Sequence, residues 1–252
     1  MTKKEALINY CLRIADSSLI LGQRMAEWCT NGPTLEEDIA LSNISLDLFG
    51  QSRILYEYVS ELKGGDTTED SLAFKRNERE FYNRLITERP NGNFGDTIVR
   101  NFLFDVFCYY FYTELSKSTD ERLAAFAEKS LKEVTYHMRH NGEWIIRLGD
   151  GTEESHEKAQ NALNNVWAYT DDMFEMDTTD ELLISKGIAV DLKSFKDKWF
   201  TTVEDVINRA TLIVPNDVFM HKGSNEGQHS EFLGHLLCEM QYLQRSYPEA
   251  TW

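Results

Sequence analysis

The sequence predicts an all-α protein: an antiparallel four-helix bundle core with additional helices on its flanks. Apolar residues recur at spacings of three, four and seven along most of the chain, the period of a helix with one buried face. The four prolines, Pro33, Pro90, Pro215 and Pro248, leave 34–89 and 91–214 free of the strongest helix breaker. No run alternates apolar and polar residues for long enough to demand a strand, and no repeat of fixed period is visible.

The first helix is expected over about 4–29, where Leu7, Tyr10, Ile14, Leu21, Met25 and Trp28 share a stripe. The second is expected over about 35–63, with Leu41, Ile44, Leu48, Leu55, Val59 and Leu62 facing inward. Thr34 and Glu37 fit a capping box at its start, and the early acids suit the positive end of the helix dipole. Gly64-Gly65-Asp66 ends it, and a shorter helix follows at about 70–87. After Asn91-Gly92-Asn93, an aromatic-rich helix runs from Asp96 to about Lys117. Ser118 and Glu121 are spaced to cap the next, at about 120–148, with Leu123, Ala127, Val134, Met138 and Ile145 inward. Gly149-Asp150-Gly151 turns the chain into a helix at about 153–170. Helices at about 192–211 and 229–246 complete the set, with Gly223-Ser224-Asn225-Glu226-Gly227 as a flexible loop before the last. Four helices longer than about 20 residues, joined by short turns, pack best as an antiparallel bundle. With no break in composition, residues 1–252 are expected to form a single domain.

The charge balance narrows the function. With 42 acidic against 26 basic residues, the net charge is -16, which repels phosphate backbones and anionic lipid. Nucleic-acid binding and membrane docking are therefore not expected. The most apolar stretch, Phe102 to Tyr112, is interrupted by Asp105 and is too short to span a bilayer. The start, Met1-Thr2-Lys3-Lys4-Glu5, leads into a charged amphipathic pattern without a signal-peptide core. Cys11, Cys29, Cys108 and Cys238 are scattered, as reduced thiols of a cytoplasmic protein would be.

Long helices with polar residues in their stripes raise the question of a two-metal centre. Such a centre needs about four carboxylates and two imidazoles, supplied by single Glu residues on two helices and Glu-x-x-His pairs on two others. Only Glu153-x-x-His156 and Glu226-x-x-His229 have that spacing. Both fall at helix starts or in a glycine-rich loop, so a cap or surface role is the expectation for each. His229, Glu231, His235 and Glu239 read similarly, as a solvated helix face. Within helices, Asn43, Asp47 and Gln51 share a four-residue spacing, Asp105 lies among Phe102, Val106 and Tyr109, and Glu133, Tyr136 and His137 adjoin Val134. They read either as a metal cluster or as a buried polar network paired with Arg24, Arg53, Arg100 or Arg139. The aromatics at 102–112 read as core packing. No phosphate-binding glycine loop, nucleophile elbow or dinucleotide fingerprint is present.

Four stretches carry a resemblance. They are Asn43-Ile44-Ser45-Leu46-Asp47-Leu48-Phe49-Gly50-Gln51-Ser52-Arg53, Arg89-Pro90-Asn91-Gly92-Asn93-Phe94-Gly95-Asp96-Thr97, Leu148-Gly149-Asp150-Gly151-Thr152-Glu153-Glu154-Ser155, and Glu239-Met240-Gln241-Tyr242-Leu243-Gln244-Arg245 with the terminal Trp252. Together they resemble the C subunits of bacterial multicomponent phenylacetyl-CoA epoxidases, over essentially the whole chain. The resemblance implies a ferritin-like subunit of phenylacetate catabolism without an active metal centre. It implies a catalytic A subunit as partner, with the di-iron site, together with a small B subunit and a flavin and iron–sulfur reductase that uses NADPH. The isolated chain is expected to pair with a second copy.

In the catalytic relatives, the resemblance implies, one Glu-x-x-His pair falls near Leu48 and Gln51 and the other near Glu133 to His137. Leu48 cannot bind a metal, Gln51 is a weak neutral ligand, and Glu133-x-x-Tyr136 replaces the second pair. No catalytic, cofactor-binding or metal residue is therefore expected in this chain. Asn43, Asp47, Gln51, Asp105, Glu133, Tyr136 and His137 are expected as remodelled remains of a metal site, closed by hydrogen bonds and ion pairs. The alternatives are a di-iron or di-manganese oxygenase using Asp47, Asp105, Glu133 and His137, and a ferritin-type storage or adaptor protein.

Overall fold

The computed structural model describes residues 1–248 and 250, so Trp252 lies outside the described residues. All regular structure among them is helical. In chain order the helices are α1 (Lys3–Ala26), α2 (Leu35–Lys63), α3 (Glu69–Phe74), α4 (Phe94–Leu115), α5 (Glu121–Gly149), α6 (Glu153–Trp167), α7 (Thr178–Ile184), α8 (Lys196–Arg209), α9 (Glu231–Met240) and α10 (Tyr242–Ser246). The four long helices, α1, α2, α4 and α5, are those of the ferritin-like all-α class. No described helix is long and apolar enough to cross a membrane. The chain forms two compact units, Met1–Glu88 with the segment from Gly223 onward, and Arg89–Lys222.

In the first unit α1 opens with a capping box. The Thr2 N–H donates to the Glu5 carboxylate at 2.7 Å, and the Glu5 N–H donates to the Thr2 hydroxyl at 3.2 Å. From Tyr10 to Gly22 every residue of α1 is buried, polar ones included. The helix stops at Ala26, short of Trp28, because the chain turns there and Thr30 adopts a left-handed φ of 71°. Thr34 caps α2 by accepting from the Glu37 N–H at 3.4 Å. The two helices run antiparallel and meet closely at Gly22, whose carbonyl accepts from the Ser45 hydroxyl at 2.8 Å. A Cβ at Gly22 would stand 3.0 Å from the Phe49 ring.

The helix expected over 70–87 forms only at its start, as α3. After α3 come 3-10 turns at Glu78–Glu80 and Leu85–Glu88. The cause lies on α1: the N–H of Tyr82 donates to Asp16 at 2.8 Å and that of Arg84 to the Ser17 hydroxyl at 3.0 Å. These tertiary acceptors take N–H groups that a helix would bond to its own carbonyls.

The helix expected over 229–246 breaks at Gln241 into α9 and α10. The buried Gln241 side chain donates to the carbonyls of Ala73 and Arg76, each at 3.1 Å. Arg245 adds a bond to the Arg76 carbonyl at 2.8 Å and one to Gln241 Oε1 at 2.9 Å. Two residues of the Glu239–Arg245 motif thus hold the turn after α3. Gln241→Ala leaves two buried carbonyls without this donor and is expected to cost about 1–3 kcal/mol, measured by urea denaturation.

In the second unit α4 begins at Phe94, two residues before the expected Asp96, capped by Asn93, which accepts from the N–H groups of Gly95 at 2.8 Å and Asp96 at 3.2 Å. The cap of α5 is Asp120, which accepts from the Leu123 N–H at 3.1 Å. Ser118, the expected cap, instead accepts from the Asp120 N–H at 3.1 Å and donates to the Ile188 carbonyl at 2.8 Å. Helices α4 and α5 run antiparallel, with Phe102 against Gly142 and the Tyr112 and Phe126 rings 5.5 Å apart. Phe107 packs on Phe111, Phe174 and Phe195 at 5.7, 5.3 and 5.6 Å, so the 102–112 aromatics include core. α6 ends at Trp167 rather than near 170, giving way to a 3-10 turn at Asp171–Phe174. α7 was not anticipated, although Asp177 and Asp180 form a capping box at its start. The helix expected at 192–211 begins as a 3-10 turn, Leu192–Phe195, before α8.

Candidate functional site

Of the polar residues singled out on α4 and α5, Asp105 and His137 interact in the second unit. Asp105 on α4 is buried, and the amide of buried Asn141 on α5 donates to its Oδ2 at 2.7 Å. His137 is buried one turn before Asn141 on the same helix. Burial pushes the Asp105 carboxyl up to about 6, while His137, the Asn141 hydrogen bond and Arg100 pull the other way. Burial, reinforced by the charge of Asp105, also raises the Cys108 thiol well above its ordinary value. The arrangement gives one buried carboxylate that titrates just below neutrality.

The other expected site residues occupy different surroundings. Glu133 lies 3.8 Å from Lys129 Nζ in a same-helix ion pair. Tyr136 is 43% exposed, with its ring 5.8 Å from that of His140 and 6.2 Å from that of His137. On α2, Asn43 is exposed, Asp47 half-buried and Gln51 buried. A four-residue step advances about 40° around a helix, so the trio rotates from solvent toward the interior. Leu48 beside them is buried. Of the arginines offered as partners, Arg100 acts on Asp105, Arg53 pairs with Glu57 at 2.9 Å, and Arg24 bonds the Glu88 carbonyl at 2.9 Å.

The two Glu-x-x-His pairs serve separate roles. His156 Nδ1 lies 2.8 Å from the Gly149 carbonyl, the last of α5, while Thr152 caps the start of α6. His229 corrects the surface expectation: its side chain is 1% exposed and lies between Glu88 and the Phe81 carbonyl. Glu231, His235 and Glu239 remain exposed. Gly227, with φ of 68°, turns the loop so closely over the Arg79 carbonyl that a Cβ would lie 2.5 Å from it.

The most completely bonded polar cluster escaped the sequence reading. In the first unit Asp16 is fully buried on α1 and Tyr56 is buried on α2. The Tyr56 hydroxyl donates to Asp16 at 2.5 Å, and Arg76 Nη1 donates to Asp16 at 3.0 Å and to the Glu80 carbonyl at 2.7 Å. Arg76 Nη2 bonds Asp16 and, at 2.9 Å, the Tyr56 hydroxyl, while Nε donates to the Leu72 carbonyl at 2.6 Å. The guanidinium also lies 4.1 Å from the centre of the Phe81 ring. Burial opposes the charge on Arg76, yet Asp16, with Tyr56 and Glu80, more than offsets this and raises its pKa. Burial, then the charge of Asp16, lifts Tyr56 well above its ordinary value. The available signal was Asp16 itself, flanked by Ile14, Ala15, Leu19 and Ile20 in mid-helix.

Among the described residues, no three His, Cys, Asp or Glu side chains are grouped so as to hold a metal ion. The α4–α5 cluster, with one carboxylate, one imidazole and an amide donor, does not fit the donor set of a two-metal carboxylate centre.

The phenylacetic acid catabolic protein family matches the chain over residues 1–252. The chain is also similar to the C subunit of 1,2-phenylacetyl-CoA epoxidase from Escherichia coli (strain K12). The two are 46% identical over 246 residues, covering 98% of this chain and 99% of that protein.

Proposed function

Because the chain belongs to the phenylacetic acid catabolic protein family, we propose that it is the non-catalytic structural subunit of a multicomponent phenylacetyl-CoA epoxidase. In this role it docks against a catalytic A subunit and stabilises that subunit's helical bundle. The small B subunit and the reductase complete the assembly. The di-iron centre, flavin, iron–sulfur cluster and NADPH site belong to those partners.

The observation that carries this reading is the donor set around Asp105. A two-metal centre of this kind needs about four carboxylates and two imidazoles. Here one buried carboxylate has one imidazole and an amide for neighbours, and among the described residues no three His, Cys, Asp or Glu side chains are grouped to hold a metal ion.

Metal content and turnover of the purified chain, alone and co-expressed with the A subunit, test the reading. The expected result is a stable hetero-complex, with iron and ring epoxidation dependent on the A subunit. Binding of about two irons by the chain alone, with oxidation supported by a reductase only, would establish the oxygenase alternative through Asp47, Asp105, Glu133 and His137. Failure to co-purify with the A subunit would point to a storage or adaptor protein.

A further inference from the structure

The segment from Ser224 through α9 is fastened to the rest of the first unit by a buried imidazole. His229 Nε2 lies 2.8 Å from the Phe81 carbonyl, and Nδ1 lies 3.1 Å from Glu88 Oε2. A carbonyl and an ionised carboxylate are both acceptors only. A neutral ring carries a single N–H, so one of the two contacts would then set lone pair against lone pair. Only the doubly protonated ring satisfies both.

Glu88 is fully buried and is the hub of the fastening. Its Oε1 accepts from the Ser230 N–H at 2.6 Å, and its Oε2 accepts from the Asn83 amide at 3.2 Å. From α1, Arg24 braces the backbone on both sides, donating to the carbonyls of Glu88 at 2.9 Å and Phe232 at 3.3 Å. Asp16 of α1 also favours charge on the ring, and Asp16 is itself matched by Arg76. Of the charged residues in the turn before Phe81, Glu78 lies against Gly234, while Arg79 and Glu80 are exposed. At the loop, Arg84 donates to Asn225 at 3.1 Å, and Glu226 is exposed.

We propose that this segment is a proton-gated clasp, closed by the His229 imidazolium between Glu88 and the Phe81 carbonyl and opened when the ring loses a proton. Gln241 and Arg245 hold the far end, so opening is confined to the loop and the first turns of α9. Opening lifts the loop away from the Phe81 carbonyl, whose own ring lies 4.1 Å from the Arg76 guanidinium.

The direction of the effect follows from linkage. Burial opposes the ring's charge, but the Glu88 hydrogen bond and charge, with the Phe81 carbonyl, leave His229 above the ordinary imidazole value. The closed state therefore holds its proton to higher pH than the open state. The clasp is fully closed below about pH 6.5, and its opening constant rises about tenfold per pH unit up to the closed-state pKa.

Hydrogen exchange of the full chain, corrected for intrinsic rates, from about pH 6 to about pH 8.5, tests this. Amides at 227–236 should lose protection with pH in the native protein and not in His229→Gln, while those of α4 and α5 stay level. Protection independent of pH, or equally dependent in the variant, overturns the proposal. NMR of the native imidazole gives a measurement that needs no variant: both ring nitrogens should be protonated at about pH 6.5. A neutral ring there overturns it.

Discussion

Replacing Arg76 with methionine is expected to destabilise the first unit by about 3–5 kcal/mol, the usual consequence of leaving a buried charge without its partner. Asp16 has no exposed surface and would keep only the Tyr56 hydroxyl and the Tyr82 N–H as donors. Lost carbonyl bonds add to the cost, because Arg76 also satisfies Leu72 and Glu80. The size of the effect reflects the orphaned carboxylate more than any large net value of the pair. The double variant Asp16→Leu/Arg76→Met should therefore recover the part of the loss due to the orphaned charge, since an apolar pair avoids the cost of burying it. It should not recover the part due to the carbonyls, the Tyr56 hydroxyl and the Tyr82 N–H left without these partners. Urea denaturation of the native protein, both single variants and the double variant gives the coupling energy directly. A loss below about 1 kcal/mol for Arg76→Met would place the pair in the class of solvated surface bridges. Such a result would contradict its burial.

The long helices were legible because their signal is local and periodic. Leu41, Ile44, Leu48 and Leu55 declare one face of α2 without reference to anything else in the chain, and all four are buried. The segment 70–87 was misread because distant acceptors on α1 reorganise it. Helical spacing persists in the sequence there, but the N–H groups of Tyr82 and Arg84 go to Asp16 and Ser17. The same limit applies to the polar clusters. Asp105 and His137 could be found as polar interruptions of apolar stripes, yet nothing local identifies Asn141 as the donor to Asp105. Glu88 and His229 are separated by 141 residues, and the position of His229 beside a glycine-rich loop pointed to a cap or surface role that its burial overturns. Gln241 and Arg245 stood out through resemblance alone; their bonds to the turn after α3 supply a physical reason for the motif.

Acidification from about pH 7.5 to about pH 4 is expected to raise the contribution of Asp105 to stability by up to about 3 kcal/mol. Its carboxyl titrates near 6 in the folded protein, against an ordinary 3.8. The folded state therefore binds more protons than the unfolded state between those values, and stability rises as pH falls through that window. Below about pH 4 both states are protonated and the gain is complete. Exposed carboxylates held low, such as Glu5 and Glu154, act in the opposite sense. The informative quantity is therefore the difference between the native protein and Asp105→Asn. The variant carries a neutral amide at every pH, and the Asn141 side chain can both donate to it and accept from it. Native minus variant stability, from urea titrations at several pH values, should become more favourable toward acid. Parallel curves would mean that Asp105 is not perturbed. A curve of opposite slope would be more consequential, because coordination to a cation holds a carboxylate ionised and its protonation then costs stability. The sign of this one difference separates a carboxylate closed over an amide from one that ligates a metal, and with it the structural subunit from the oxygenase.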